Sequence, residues 1–562
     1  KCQAMRIVPL AEEIDGVRGE PAIAEVWPGH YRDLFNCGTS ARHNLEVERE
    51  LSSTDPVAPF TPRLISEMAK KLKKHKSGGL DDLTSEHIIF APWQLHVLLS
   101  MFFNSCIQHS YLPREFMRCV LIPILKSKSG DVTDTGNYRP VALTSTLSKL
   151  FELLLLERLE CYLLTSDAQF GFKARHGTDM CIYVLKEVVQ YFKSHSTPVF
   201  MCFMDASKAF DWVNQYTLFY KLLRRDVPGR FVKLLLFWYS SQQICVRWGN
   251  CTSSFFTVTN GVRQGGILSP TLYNVYVDDL SNLLNQCNVG CTVFNHCFNH
   301  LCYADDLVLM SPSAKGLQSL VNICASYAKV NDIIYNEKKT VIMICYPRSF
   351  NACDTPQILL NGSVLKHVDH IRYLGVILSH SFTDDLDLKR QLKFFYFKGN
   401  FLIRNFKSCS NAVKTKLFNA FCANFYCGHL WFSFNRTSFH ATRVGFNNVF
   451  RKLLHLNRFC SASDMFASRH IKSFNEILRH CVYGFKQRLL DSRNVLISST
   501  LRSALYFRGS IWNSWNSLLF SHHFNFVHHL PLLFFYFFFI FYGQLSEIKK
   551  SNHQINKKSV RD

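Results

Sequence analysis

The stretch Leu301-Cys302-Tyr303-Ala304-Asp305-Asp306-Leu307-Val308-Leu309-Met310 sets two adjacent carboxylates between two short apolar runs. Each run has the length of a buried strand and Asp is a turn former. The stretch is therefore expected to form a β-hairpin with the acids at its bend. Adjacent acids withdrawn from water repel each other and lose hydration, a cost that a cation offsets, and hard oxygen donors suit Mg²⁺. The plainer alternative is a solvated polar tip. The rest of the chain has to decide between the two.

A second acidic centre lies upstream. Val199-Phe200-Met201-Cys202-Phe203-Met204 is continuously apolar, the pattern of a central strand covered on both faces, and Asp205 ends it. Residues 205 to 211 are expected to turn into a helix, so Asp205 is also a good N-cap. A third feature is the glycine-rich turn Gly261-Val262-Arg263-Gln264-Gly265-Gly266 before Ser269-Pro270, which leads into a helix from Thr271 to about Leu284. Glycine lets backbone approach a ligand closely, and a helix start offers free N–H groups.

Two apolar runs, Cys119–Leu125 and Tyr138–Leu143, bracket a polar loop with Lys126 at one end and Arg139 at the other. Such a basic hairpin can fold over a triphosphate, Arg giving bidentate contacts, or it can be an ordinary charged surface hairpin. An amphipathic helix is expected from Ser145 through Leu163. A basic, glycine-punctuated loop, Gln169 to Gly177, follows it. Tyr373 to Leu378 is another strand-like run, and a helix from Gly316 to about Val330 precedes a strand at Thr340–Ile344.

The net charge of +22 points to a polyanionic partner, nucleic acid first. The 21 cysteines have no repeated spacing, which in a chain of 562 residues speaks for reduced thiols and an intracellular protein. Cys422, Cys427 and His429 have no good fourth partner, which argues against zinc. Five segments are expected. Residues 1–60 are a linker remnant, with one short helix at Trp27–Phe35, and 61–118 a helical extension. Residues 119–378 carry the acids, and 379–519 are helical, basic and aromatic. Residues 520–562 are Phe-rich, then rich in Lys and Asn. The apolar run Leu530–Tyr542 is shorter than the roughly 20 residues a spanning helix needs, so no membrane partner is expected. The chain opens on Lys1, as an incomplete copy would.

The order strand-acid, glycine turn with helix, hairpin-acid resembles the reverse transcriptase family, most closely the non-LTR, LINE-type and jockey-like, retrotransposon enzymes. The matching residues are Arg139-Pro140, Ser148-Lys149, Phe151-Glu152, Gln169-Phe170-Gly171-Phe172, the block Phe203 to Asp211, Arg263-Gln264-Gly265 with Leu268-Ser269-Pro270, Tyr303-Ala304-Asp305-Asp306, Asn336, Lys339-Thr340 and Tyr373-Leu374-Gly375. The resemblance covers about residues 64 to 380 well and Tyr426 to about Trp515 more loosely. It implies an α+β, right-hand polymerase with fingers and palm in 119–378, the palm sheet antiparallel. It assigns 61–118 to an extension of the fingers, and 379–519 to a mostly helical thumb and C-terminal region.

The implied activity is RNA-directed DNA polymerisation, extending a DNA 3′-end on an RNA template, by target-primed reverse transcription in this family. Asp205 and Asp305 would hold two Mg²⁺ ions (Mn²⁺ being the alternative), with Asp306 supporting them. Lys126 and Arg139 would contact the incoming dNTP. Phe210, five positions after Asp205, sits where the family carries a steric gate against a ribose 2′-hydroxyl. Gln264 and Gly265 would position template and nucleotide, and Lys339 matches a family lysine near the active site. Template RNA, primer or target DNA and dNTPs are the implied partners, with no obligate protein partner, and the family works in nucleus and cytoplasm. The other class that stays open is an inactive remnant that retains only RNA binding.

Overall fold

The run Val199–Met204 is a strand with all six residues buried, because it pairs on both edges. It runs antiparallel to Asp306–Ser311 on one side, Met204 opposite Leu307, and antiparallel to Val341–Cys345 on the other, Phe203 opposite Val341. His300–Tyr303 extends the sheet beyond Asp306–Ser311, and Lys366–His367 closes the other edge as a short parallel strand. The sheet is therefore antiparallel over four strands and parallel only at one edge. The computed structural model from which these elements are taken describes residues 10–36, 43–51, 57–126, 130–263, 265–347, 356–506 and 509–520.

Alternation decides what covers each face. Phe200, Cys202 and Met204 pack with Leu317, Leu320, Val321 and Cys324 of the helix Ala314–Val330, and with Leu280 and Leu284 of the helix Ser269–Gln286. Phe203 points the other way and meets the ring of Tyr373 at 5.3 Å. Tyr373 in turn lies 3.5 Å from the Cys181 thiol of the helix Thr178–Ser194. With both faces and both long edges covered, the end of the strand is where Asp205 reaches solvent.

A second sheet carries the basic hairpin. Arg118–Leu125 pairs antiparallel with Tyr138–Leu143 and parallel with Gln243–Trp248. Residues 20–35, expected within a linker, correct that expectation. They form a helix, Glu20–Phe35, whose Trp27 and Tyr31 are fully buried against Tyr138, Val246 and Trp248. Its apolar positions Ile23, Ala24, Trp27, Tyr31, Leu34 and Phe35 follow the helical period. The short helix expected at Trp27–Phe35 is thus present, but it begins seven residues earlier and runs through Pro28 and Gly29.

Three further expectations change. No helix follows Asp205: residues 206–213 are turns, with Lys208 at φ 48, and the next helix starts at Gln215, capped by the Asn214 side chain on the Thr217 N–H at 3.0 Å. Asp205 is therefore not a helix cap. The run Tyr373–Leu378 is not one strand but the bend of a hairpin, His370–Tyr373 with Val376–Ser379, turning at Leu374 and Gly375 with φ of 44 and 85. The amphipathic helix is Thr146–Leu159, ending a turn earlier than the Leu163 expected.

The chain divides into two compact units, Lys1–Phe394 with Ser433–Thr442 and Gln487–Gly509, and Phe395–Phe432 with Arg443–Lys486 and Ser510–Asp562. The described residues of the second unit are helical and hold a core of phenylalanines. Phe418 lies 4.4 Å from Phe450, and Phe450 stacks on Phe466 at 5.2 Å. Phe395, Phe425 and Phe474 close round Phe446 at 5.3 to 6.0 Å. Among the described residues no helix is long and apolar enough to cross a membrane. The Phe-rich run 530–542 lies outside them.

Candidate active site

The hairpin of Tyr303–Asp306 forms as its sequence suggests. Tyr303 pairs with Asp306 across a two-residue turn, Ala304-Asp305. Ala304 has φ 58, the left-handed region that favours glycine. The register Met204 opposite Leu307 sets Asp205 and Asp306 at neighbouring strand ends. Burial is the main cause that raises the Asp305 carboxyl above the usual range, and Asp205 adds to it. Asp306 is pushed up to about 6, first by burial, then by Asp305 and Asp205. The three acids thus repel one another at one end of neighbouring strands, and a cation would lower the energy of all three charged forms.

Backbone bonds hold Asp205 from the neighbouring segment. Its N–H donates to Thr340 Oγ1 at 3.2 Å, and its carbonyl accepts from the Asn336 N–H at 2.8 Å. Lys339 Nζ lies 3.8 Å from Asp205 Oδ2, with side chains 69% and 42% exposed. Among the described residues no three or more His, Cys, Asp or Glu side chains are grouped so as to hold an ion by themselves. Mg²⁺ is commonly held through one or two carboxylates together with substrate phosphates. The donor set, hard oxygens that repel until neutralised, fits such an ion without a closed protein cage.

A cleft of about 910 Å³ is lined by Lys339, the neighbour of Asp205, and by none of the three acids themselves. Lys126, Arg139, Phe210, Gly265 and Lys339 all line it. Lys126 Nζ donates to the Gly136 carbonyl at 2.8 Å. Its pKa is lowered, first by burial and then by Lys208, Arg139 and Lys339, with Asp211 opposing them. Phe210 stacks on Tyr273 at 4.4 Å and meets Phe172 edge-on at 6.1 Å. Gly265 has φ 83, and a Cβ there would meet the Ala142 carbonyl oxygen at 2.8 Å, so only glycine lets the turn approach that strand. Gln264 lies outside the described residues.

Three ionisable residues of this cleft take no role from the sequence: His30, and Lys208 and Asp211 of the matched block Phe203 to Asp211. His30 comes from the helix Glu20–Phe35, so no local pattern could join it to Lys126. Burial and then Lys208 lower its pKa. Cys422, Cys427 and His429 are buried in the second unit.

Comparison with known proteins follows this geometry. Residues 124–378 match the family model described as "Reverse transcriptase (RNA-dependent DNA polymerase)". The chain is similar to the RNA-directed DNA polymerase from mobile element jockey of Drosophila funebris, 27% identical over 497 residues, covering 84% of this chain and 53% of that protein. It is 28% identical over 358 residues to the probable RNA-directed DNA polymerase from transposon BS of Drosophila melanogaster, covering 61% of this chain and 38% of that protein. It is also similar to the retrovirus-related Pol polyprotein from type-1 retrotransposable element R2 of Popillia japonica, 26% identical over 291 residues, with 50% and 39% covered. The chain spans about half the length of the first of these relatives and less of the others. Among solved structures, apo telomerase from Candida tropicalis truncated from its C-terminal domain aligns with a TM-score of 0.34 at 12% identity, over 50% of this chain and 59% of that one.

Proposed function

Residues 124–378 of this chain are a reverse transcriptase domain, and from that premise we propose that the chain is the RNA-directed DNA polymerase of a non-LTR retrotransposon. It extends a DNA 3′-hydroxyl on an RNA template by nucleotidyl transfer from a dNTP. The observation that carries this is the meeting of Asp205, Asp305 and Asp306 at the ends of neighbouring strands, with Lys339 between Asp205 and a cleft lined by Lys126 and Arg139.

In this reading 119–378 supply fingers and palm, 61–118 extend the fingers, and 379–519 supply thumb and C-terminal region. Asp205 and Asp305 hold Mg²⁺, supported by Asp306. Bound there, the ions would lower the pKa of the primer hydroxyl and neutralise charge on the triphosphate. The chain's own part is to position and to neutralise. Lys126 and Arg139 take the triphosphate, Arg139 with the geometry for two phosphate oxygens. Gly265 lets the turn close on the nucleotide and Gln264 works beside it. Phe210, wedged between Tyr273 and Phe172, fills the space of a 2′-hydroxyl. Lys339, next to Asp205, is available to move a proton. All described cysteines are free thiols, which suits a reducing, intracellular setting.

Primer extension on an RNA template with dNTPs and Mg²⁺ tests the proposal. The wild-type chain should extend the primer. Asp205→Asn and Asp305→Asn should each lose extension by about 10³-fold or more while RNA binding is kept. RNA binding without extension by the wild-type chain, where an intact relative is active, would leave a remnant that binds RNA only.

A further inference from the structure

The turn that carries Asp305 is held from outside its own hairpin. Gln169 is 2% exposed and lies 135 residues away in sequence. Its Oε1 accepts from the Ala304 N–H at 2.8 Å and from the Gly171 N–H at 2.8 Å. Its Nε2 donates to the Ala304 carbonyl at 3.4 Å. One side chain therefore engages both backbone groups of Ala304, the residue whose φ of 58 an L side chain seldom adopts. The segment around it runs alongside the hairpin: the Phe170 N–H donates to the Cys302 carbonyl at 2.8 Å, and the Cys302 N–H donates to the Ala168 carbonyl at 2.8 Å. Gly171 seals the contact. A Cβ on it would lie 2.3 Å from the Ala304 nitrogen, and Asn274 Nδ2 fixes its carbonyl at 2.8 Å.

From this we propose that Gln169 is a positioning residue for the acidic turn: it holds Ala304 in the left-handed conformation and so orients the carboxylates of Asp305 and Asp306. The inference rests on the proposed polymerase function, because only there do those two acids have a metal to hold. Glycine needs no help to adopt positive φ, whereas alanine does. A chain with Ala at this turn depends on the clamp, and a chain with Gly there would depend on it less.

The test uses the full chain and Mn²⁺ as the probe, with binding read by electron paramagnetic resonance of the free ion. Gln169→Leu keeps the size of the side chain and removes every bond to Ala304. It should weaken Mn²⁺ binding by about 10- to 100-fold, the usual cost of losing a group that orients a ligand, and lower primer extension in parallel. RNA binding should stay close to wild type. The midpoint of thermal unfolding should fall, because the buried Ala304 and Gly171 N–H groups lose their acceptor, so Mn²⁺ is titrated at a temperature where circular dichroism shows the variant fully folded. Adding Ala304→Gly to Gln169→Leu should recover most of the loss, which mere loss of packing would not allow. Should Gln169→Leu fail to fold, Gly171→Ala pushes on the same turn and should weaken Mn²⁺ in the same way.

Wild-type Mn²⁺ affinity in Gln169→Leu would overturn the proposal. So would failure of Ala304→Gly to recover a loss measured on fully folded Gln169→Leu. Neither result touches the polymerase assignment, which fails instead if the wild-type chain binds Mn²⁺ but does not extend a primer.

Discussion

Phe210 is held by its neighbours, and that is what would make it selective. A ring stacked on Tyr273 at 4.4 Å and capped by Phe172 cannot swing aside for a ribose 2′-hydroxyl. Phe210→Val should open that space and raise the relative kcat/KM for ribonucleotides by roughly 10- to 100-fold, the range that one group in a packed pocket can discriminate. Competing dNTP and NTP in primer extension reads the ratio, and an unchanged ratio would remove Phe210 from the gate. Glu187 is a second residue whose surroundings decide its chemistry. Burial pushes its carboxyl up to about 8, and among the described residues its Oε1 accepts no hydrogen bond. The folded state therefore favours the neutral acid. Stability from this group is fully present below the ordinary carboxylate pKa and is lost as pH rises toward 8. Glu187→Gln should raise the thermal midpoint at pH 8 and leave it nearly unchanged at pH 4, where the wild-type side chain is already neutral.

Between elements, the glycine turn at 263–268 is fixed from behind. Glu152 of the helix Thr146–Leu159 accepts from Arg263 Nη1 at 2.8 Å, from the Leu268 N–H at 3.2 Å and from the Ile267 N–H. Both charged side chains are 2% exposed. The Arg263 guanidinium also lies 4.4 Å over the Trp238 ring and reaches Ser148 Oγ at 3.1 Å. Glu152→Ala would strand a buried cation and cost roughly 3–5 kcal/mol. The loss can be measured as a shift of the urea midpoint, and a shift below about 1 kcal/mol would mean the pair contributes little. None of this pairing is legible in the sequence, since residues 111 apart meet only once the core has formed. The hairpin at Asp305 and the strand Val199–Met204 were legible because their signals are local: period, run length and turn residues. The same locality misread the chain elsewhere. The helix expected at Trp27–Phe35 starts at Glu20 and is buried rather than part of a linker, Leu374-Gly375 turned what looked like one strand into two, and Lys208 at φ 48 stopped the helix expected after Asp205. At the site, Asp205, Lys126, Arg139, Phe210, Gly265 and Lys339 could each be named from their own blocks. His30 and the Gln169 clamp needed the tertiary structure, because nothing near them in sequence points to their partners.

At the scale of the whole molecule, charge is the property that should govern the first encounter. The chain carries a net +22, and the candidate cleft gathers Lys126, Arg139, Lys208 and Lys339 against one acid, Asp211. A protein that neutralises phosphates releases their counterions, so affinity falls as a power of salt concentration. If about six phosphates of a single-stranded RNA are engaged, log K should fall with log salt at a slope of about −4. Fluorescence anisotropy of a labelled RNA between 50 and 200 mM KCl would measure it, with those concentrations chosen because the effect spans that range. Metal-ligand loss should not alter the slope: Asp305→Asn removes a negative charge from the turn but no phosphate contact, so its line should lie parallel to that of the wild type. A slope near zero would mean that the positive charge does not face nucleic acid. A slope that flattens in Asp305→Asn would mean that the RNA is held through the metal site rather than by the basic surface.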